Sequence, residues 1–189
     1  MSKNINDLNI RREDALDILD RTIGFINSCD NKAATVLGFF GVIIALIFTF
    51  DGISSITEII GCLIRNVSFF YVLFLVFWFA SLIVFGYGIY KLLSVLFAKI
   101  DCSDMMEDDF EMDSKIFFGD IAKNVTFKLY KKKLLSCDSE MIINDIISQI
   151  YINSVICQRK FNRYNNGLRS VLLGFVCFTI LWIIGTYIN

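Results

Sequence analysis

The sequence predicts an all-α membrane protein, with three transmembrane helices joined to a cytoplasmic helical bundle, on three observations. Mean hydropathy is +0.61, with 56% hydrophobic and 15% aromatic residues, which is too apolar for a soluble chain of 189 residues. Ala33 to Phe50, Phe69 to Tyr90 and Val171 to Ile188 carry no charge at all, so the charged residues are confined to blocks between them. The chain also has no proline, as long uninterrupted helices require.

In chain order, residues 1–32 are expected to form a cytoplasmic amphipathic helix leading into the membrane, after a frayed polar start from Met1 to Ile10. Glu13, Asp14, Asp17 and Asp20 stand in its early turns, where negative charge suits the helix dipole. Residues 33–50 are the first span, 18 residues or about 27 Å of helix, close to the ~30 Å hydrocarbon core of a bilayer. The run begins too far in, follows acidic rather than basic sequence and ends without a small-x-small site, so it reads as a retained span and not a signal peptide. Leu16, Leu19, Ile23, Ile26, Ala33, Leu37, Phe40 and Ile44 alternate three and four apart, the seam of a helix packed lengthwise on another. The ladder skips one place, and Asp30 occupies it.

Residues 51–68 are a short outer loop in which Ile53, Ile56, Ile60, Leu63 and Val67 recur at helical spacing. Residues 69–90 form the second span, where Gly86 and Gly88 permit close helix contact without matching GxxxG, and Lys91 follows to snorkel. Residues 91–169 form the cytoplasmic helical region, which opens on an acidic run (Asp101, Asp104, Glu107, Asp108, Asp109, Glu111, Asp113) that reads as a solvated linker. Next, Ser114 to Leu135 is expected as one amphipathic helix, with Phe117, Ile121, Val125 and Leu129 in a stripe and a basic end at Lys128 and Lys131 to Lys133. Those lysines suit a helix C-terminus and anionic headgroups.

Asp138 or Ser139 can cap the following helix, whose seam is Ile143, Ile147, Ile150, Ser154, Cys157, Phe161, Tyr164 and Leu168. It passes Asn165-Asn166-Gly167, a place for a kink, into the third span at 170–188. The two seamed helices both run into spans and are expected to lie side by side in parallel as a stalk.

Orientation follows from the basic residues. Residues 1–33 carry five Lys or Arg, 51–68 carry one, 91–169 carry twelve, and the tail after 170 carries none. Three spans with a cytoplasmic N-terminus and an outer C-terminus satisfy the positive-inside rule throughout.

Composition also removes function classes. The absence of His excludes His-based triads, His metal ligands and His phosphorelay. The six Cys show no CxxC and no zinc spacing, and only Cys62 falls in the outer loop, so no internal disulfide forms there. No P-loop, strand-borne GxGxxG or GxSxG is present, and the acidic run lacks the Gly of an EF-hand loop, so the chain is expected to be no enzyme and to hold no metal. A net charge of -1 gives no reason to expect nucleic-acid binding.

Asp30 remains. It reads either as a hydrated boundary residue beside a snorkelling Lys32, or as a carboxylate paired across the seam with Lys160 or Arg163. A charge at a low-dielectric boundary is costly unless paired, so the second reading makes it a register lock that a ligand could change.

Asp30-x-Lys32-Ala33 before the first span, Phe117-Phe118-Gly119-Asp120-Ile121, Asp145-Ile146-x-x-Gln149-Ile150, and then Ser154 and Lys160 before the last span form an ordered set. This set, spread over nearly the whole chain, resembles the Pycsar transmembrane effectors (the PycTM family). The resemblance implies a multi-pass protein of the bacterial inner membrane acting in antiphage defence. A partner pyrimidine nucleotide cyclase would make cCMP or cUMP on infection, and the effector would impair the membrane and kill the cell.

A cyclic mononucleotide needs one or two cations for its phosphate and an aromatic or polar surface for its base. Lys32, Lys160 and Arg163, with Tyr151, Asn153 and Tyr164, are the expected ligand-binding residues, and Asp30 the gating residue. Three spans cannot enclose a pore, so a homo-oligomer in membrane lipid is expected. The rival readings are a constitutive small channel or scaffold subunit, and a related effector gated by another nucleotide.

Overall fold

A computed structural model describes residues 11–65, 68–97 and 114–188. The segments Met1 to Ile10 and Asp101 to Asp113, together with Val67 and the side chains of Cys62 and Leu63, lie outside the described residues. Every element among those described is a helix: α1 (Arg12–Ile47), α2 (Phe50–Arg65), α3 (Phe69–Leu96), α4 (Phe118–Ala122), α5 (Phe127–Leu135) and α6 (Ser139–Ile188). Three of them, α1, α3 and α6, are long and apolar enough to cross a membrane.

The chain divides into two compact units, Met1–Ser28 with Lys99–Arg159, and Cys29–Ala98 with Lys160–Asn189. The second unit is a bundle of α1, α3 and α6. Cys29 and Ala33 share one core cluster with Val95, Phe161 and Tyr164. Phe40 shares another with Leu92, Val171, Phe85, Ile89 and Phe175. Rising numbers on α1 therefore meet rising numbers on α6 and falling numbers on α3, so α1 and α6 are parallel here and α3 runs against both.

Aromatic rings fill the bundle. Phe40, Phe85 and Phe175 form a triangle with centroids 5.4 to 6.3 Å apart, and Trp78 stacks on Phe178 at 5.5 Å. Two hydroxyls within the spans return to their own helix, Ser81 to the Trp78 carbonyl and Thr179 to that of Phe175. Each thus satisfies its donor without water.

Glycine sets the approach of α3 to α6. A Cβ at Gly88 would lie 2.5 Å from the Val171 backbone N, and one at Gly174 2.5 Å from the Phe85 backbone N. Gly167 faces Lys91 and Leu92, so helical structure continues through Asn165-Asn166-Gly167 and the glycine there serves a helix contact. Gly86 meets nothing within 4 Å. The α1–α2 turn is tight: Thr49 Oγ1 donates to the Leu46 carbonyl and accepts the Gly52 N–H. Ile59 of α2 is buried, against the Gly185 position of α6.

The first unit corrects two expectations. Ser114 to Leu135 is not one helix but two, separated at Lys123–Thr126. Asn124 donates to the carbonyls of Asp120 and Ile121, closing α4, and Thr126 accepts the Leu129 N–H, opening α5. Short polar side chains here satisfy backbone groups that a continuous helix would have paired. Val125, expected in the buried stripe, is 90% exposed at the break. Asp138 rather than Ser139 caps α6, accepting the Met141 N–H at 2.8 Å.

The seams also shift. On α1 Ala33 and Phe40 of the expected seam are buried and Leu19, Ile26, Leu37 and Ile44 half-buried, but Ala15 and Cys29 also take inward places, and Leu16 and Ile23 are exposed. In the first turns of α6 the buried residues are Asp145, Ile146 and Gln149, while Ile147 and Ser154 of the expected seam are exposed. A straight helix of 3.6 residues per turn drifts against a 3.5-residue ladder, and the small Ala15 and Cys29 fit the inward places it reaches.

Candidate functional site

The polar end of the α1–α3–α6 bundle is built from residues adjoining its core. Cys29 is buried, and one residue on, at the rim of its cluster, the Asp30 carboxylate turns toward α6. Lys160 precedes Phe161, which packs on the same cluster, and its Nζ donates to both Asp30 oxygens at 2.6 and 2.7 Å. The two side chains are 13% and 31% exposed, Lys160 being the more enclosed. Two short charge-assisted bonds at a rim of this kind form a strong contact that water can still reach.

The other cations surround the same end. Lys32 Nζ lies 5.9 Å from the Phe161 ring centroid, within cation–π range. Arg163 Nη1 donates to the Ser94 carbonyl at 3.4 Å. Ser94 is in the last turn of α3, whose final carbonyls have no intrahelical donor, so Arg163 supplies a donor and a positive charge where the dipole is negative. Tyr164 packs against both core clusters. Of the two partners open to Asp30 on sequence grounds, Lys160 takes the carboxylate and Arg163 goes to α3.

Lys32, Lys160, Arg163 and Tyr164 thus belong with Asp30 in one unit, whereas Tyr151 and Asn153 belong to the other. There Asn153 donates to the Gln149 carbonyl of its own helix, and Tyr151 is exposed.

That first unit holds a polar constellation that sequence reasoning missed. Asp145 is enclosed, and its Oδ2 accepts the Lys115 backbone N–H at 2.7 Å while Oδ1 has no hydrogen-bond partner among the described residues. The Tyr130 hydroxyl donates to the Lys115 carbonyl at 3.0 Å, so the backbone of this one residue is clamped on both sides. Ser114 Oγ accepts the N–H groups of Phe117 and Ile116 and turns the chain into α4. The clamp explains how Phe117–Ile121 and Asp145–Gln149 belong to one structure, although 30 residues separate Lys115 from Asp145. Among the described residues, no group of His, Cys, Asp and Glu is placed to hold a metal.

Comparison with known proteins finds relatives along nearly the whole chain. The family model described as the Pycsar effector protein domain, PycTM, matches residues 14–187. The Pycsar effector protein GmPycTM of Gulbenkiania mobilis is 30% identical over 178 residues, covering 90% of either chain. The Pycsar effector protein EcPycTM of Escherichia coli is 25% identical over 165 residues, covering 87% of this chain and 85% of its own length. No solved structure matches.

Proposed function

Because this chain belongs to the Pycsar effector PycTM family, it is a non-enzymatic membrane effector of antiphage defence that works with a pyrimidine cyclase system, and we propose that a cyclic pyrimidine mononucleotide, cCMP or cUMP, gates it by breaking the Asp30–Lys160 pair. The observation that carries this reading is that pair. It ties α1 to α6 at the rim of the bundle, and both helices continue without a loop into the apolar lengths of the spans. A nucleotide phosphate carries one negative charge and the same bidentate acceptor chemistry as the carboxylate it would displace. Lys32 and Arg163 flank the position, and Tyr164 provides an aromatic surface close by.

In the closed state Lys160 holds Asp30. In the liganded state Lys160 holds phosphate, Asp30 is released to water, and α1 and α6 change packing. Shifting a two-state equilibrium from about 1:99 to 99:1 takes ~5.5 kcal/mol of differential affinity, which such exclusive contacts must supply. Tyr151 and Asn153 are retained as candidates for base recognition. Homo-oligomers in the inner membrane then impair it, causing abortive infection.

Calorimetry of purified protein against a panel of cyclic mononucleotides tests the ligand. Binding of cCMP or cUMP should be lost or at least tenfold weaker in Lys160→Ala and weaker in Lys32→Ala. Equal binding by wild type and both variants removes these cations from the site.

The same reading places the N-terminus and residues 91–169 in the cytoplasm. A membrane-impermeant maleimide applied to intact cells should label Cys62 and spare Cys102 and Cys137 until the membrane is opened. Labelling of Cys137 from outside contradicts the orientation.

A further inference from the structure

We propose that the oligomer is assembled through a head-to-tail contact in which the outward face of α5 in one copy packs against the acidic face of the N-terminal part of α1 in the next. The proposal rests on the oligomeric part of the reading above and not on its ligand. Both faces belong to the same compact unit of their own chain.

The α5 face is defined by what its opposite side does. Tyr130 bonds the Lys115 carbonyl, and Tyr130, Lys133 and Leu134 are the partly buried positions of the helix. At helical spacing, Phe127, Lys128, Lys131, Lys132 and Leu135 fall on the remaining arc, and all five are exposed. Phe127 is 77% exposed and Leu135 74%. The helix carries no carboxylate, and Lys128, Lys131 and Lys132 have no ion pair with the described residues. Macrodipole complementarity accounts for cations in the last turn but not for Lys128, which sits in the first turn where a cation is unfavourable.

The α1 face is its counterpart. Glu13, Asp17 and Asp20 stand at i, i+4 and i+7, one stripe of the helix, and all are exposed. Leu16 and Ile23, also exposed, run beside them. Asp14 is excluded because Arg11 holds it at 3.1 Å, a hydrogen bond and charge that raise the guanidinium above its ordinary pKa. The dipole explains Glu13 in the first turn, whereas Asp17 and Asp20 lie beyond it.

Three lysines with Phe127 and Leu135 therefore face three carboxylates with Leu16 and Ile23, a stripe that stays net acidic although the exposed Arg21 lies four residues beyond Asp17. An isologous contact of α5 with α5 would set lysine against lysine with nothing to relieve it. The heterologous pairing avoids that and closes into rings when the rotation permits. The reciprocal two-fold pairing of the same faces stops at a dimer, so a wild-type mass of a dimer overturns the head-to-tail contact.

The test is particle mass in nanodiscs without nucleotide, which separates assembly from gating. Each exposed pair contributes up to about fivefold in association. Replacing Lys128, Lys131 and Lys132 with Glu, or Glu13, Asp17 and Asp20 with Lys, should weaken assembly by on the order of a hundredfold or more. Carrying both sets of changes in one chain should restore the wild-type mass, which a merely unfolded variant could not do. Mixing the two single-set variants should also restore it.

Wild-type mass in either single-set variant overturns the proposal and leaves the lysine face to another anionic partner. A monomeric wild type, or a combined variant that stays helical by circular dichroism but does not reassemble, overturns it too.

Discussion

Alanine at Gly174 should loosen the bundle and lower its stability by about 1–3 kcal/mol, the usual cost of forcing extra volume into a packed interior. The added methyl would lie 2.5 Å from the backbone N of Phe85 and 2.7 Å from its Cα. Those are backbone atoms, so no rotamer change relieves the clash and α3 must move away from α6. In lipid this matters more than in water, because apolar side chains gain nothing by leaving lipid for a helix partner. Close backbone approach then supplies much of the association.

Trp78 reports the separation, since its ring stacks on Phe178 across the same two helices. Thermal unfolding followed by tryptophan fluorescence should shift to lower temperature in Gly174→Ala and Gly88→Ala. Gly86→Ala, in the same helix but facing open space, should not shift downward. A Gly174→Ala protein as stable as wild type contradicts the described approach of α3 to α6.

Substitutions in the Asp30–Lys160 pair should have opposite effects on ligand affinity and the same effect on resting leak. Hydrogen bonds to charged groups contribute about 1.5–3 kcal/mol, and here two join a single ammonium to a single carboxylate. Removing either partner should raise the resting open-to-closed ratio by roughly ten- to a hundredfold, at 1.4 kcal/mol per factor of ten. Asp30→Asn leaves Lys160 without its competitor and should bind cyclic nucleotide more tightly. Lys160→Ala removes the phosphate's partner and should bind it more weakly. A double-mutant cycle on resting leak isolates the coupling, because the two residues share one contact. Additive single effects, or a tightened Lys160→Ala, would show that the pair is only a boundary feature of the bundle.

The three long apolar helices were legible in the sequence because each contains a charge-free run of bilayer length. Asp30 was legible for a related reason: a carboxylate in an apolar ladder requires a partner, and Lys160 and Arg163 were the candidates on the last helix. The choice between those cations was not legible. It depended on where α3 ends, because the orphan carbonyl at Ser94 takes Arg163 and leaves Lys160 for Asp30.

Register was misread by one residue at Leu16 and Ile23, where the preceding Ala15 and Thr22 are small enough to face inward and periodicity alone does not choose between them. The break at Asn124 and Thr126 was hidden by an apolar stripe that continues through it, although Asn and Thr are residues whose side chains compete for backbone groups. The clamp on Lys115 could not be read at all. A residue held through its backbone by Asp145 and Tyr130 leaves no periodic trace, because the bonds go to backbone atoms that nearly every residue possesses.

Dye release from liposomes reconstituted with pure protein measures the gating claim without any other component. Release should be low at rest and rise on adding cCMP or cUMP, and in Asp30→Asn it should be raised before any nucleotide is added. Release that is equally high in wild type with and without nucleotide would contradict gating and make the chain a constitutive channel. No release with any cyclic nucleotide would contradict the account and favour a scaffold.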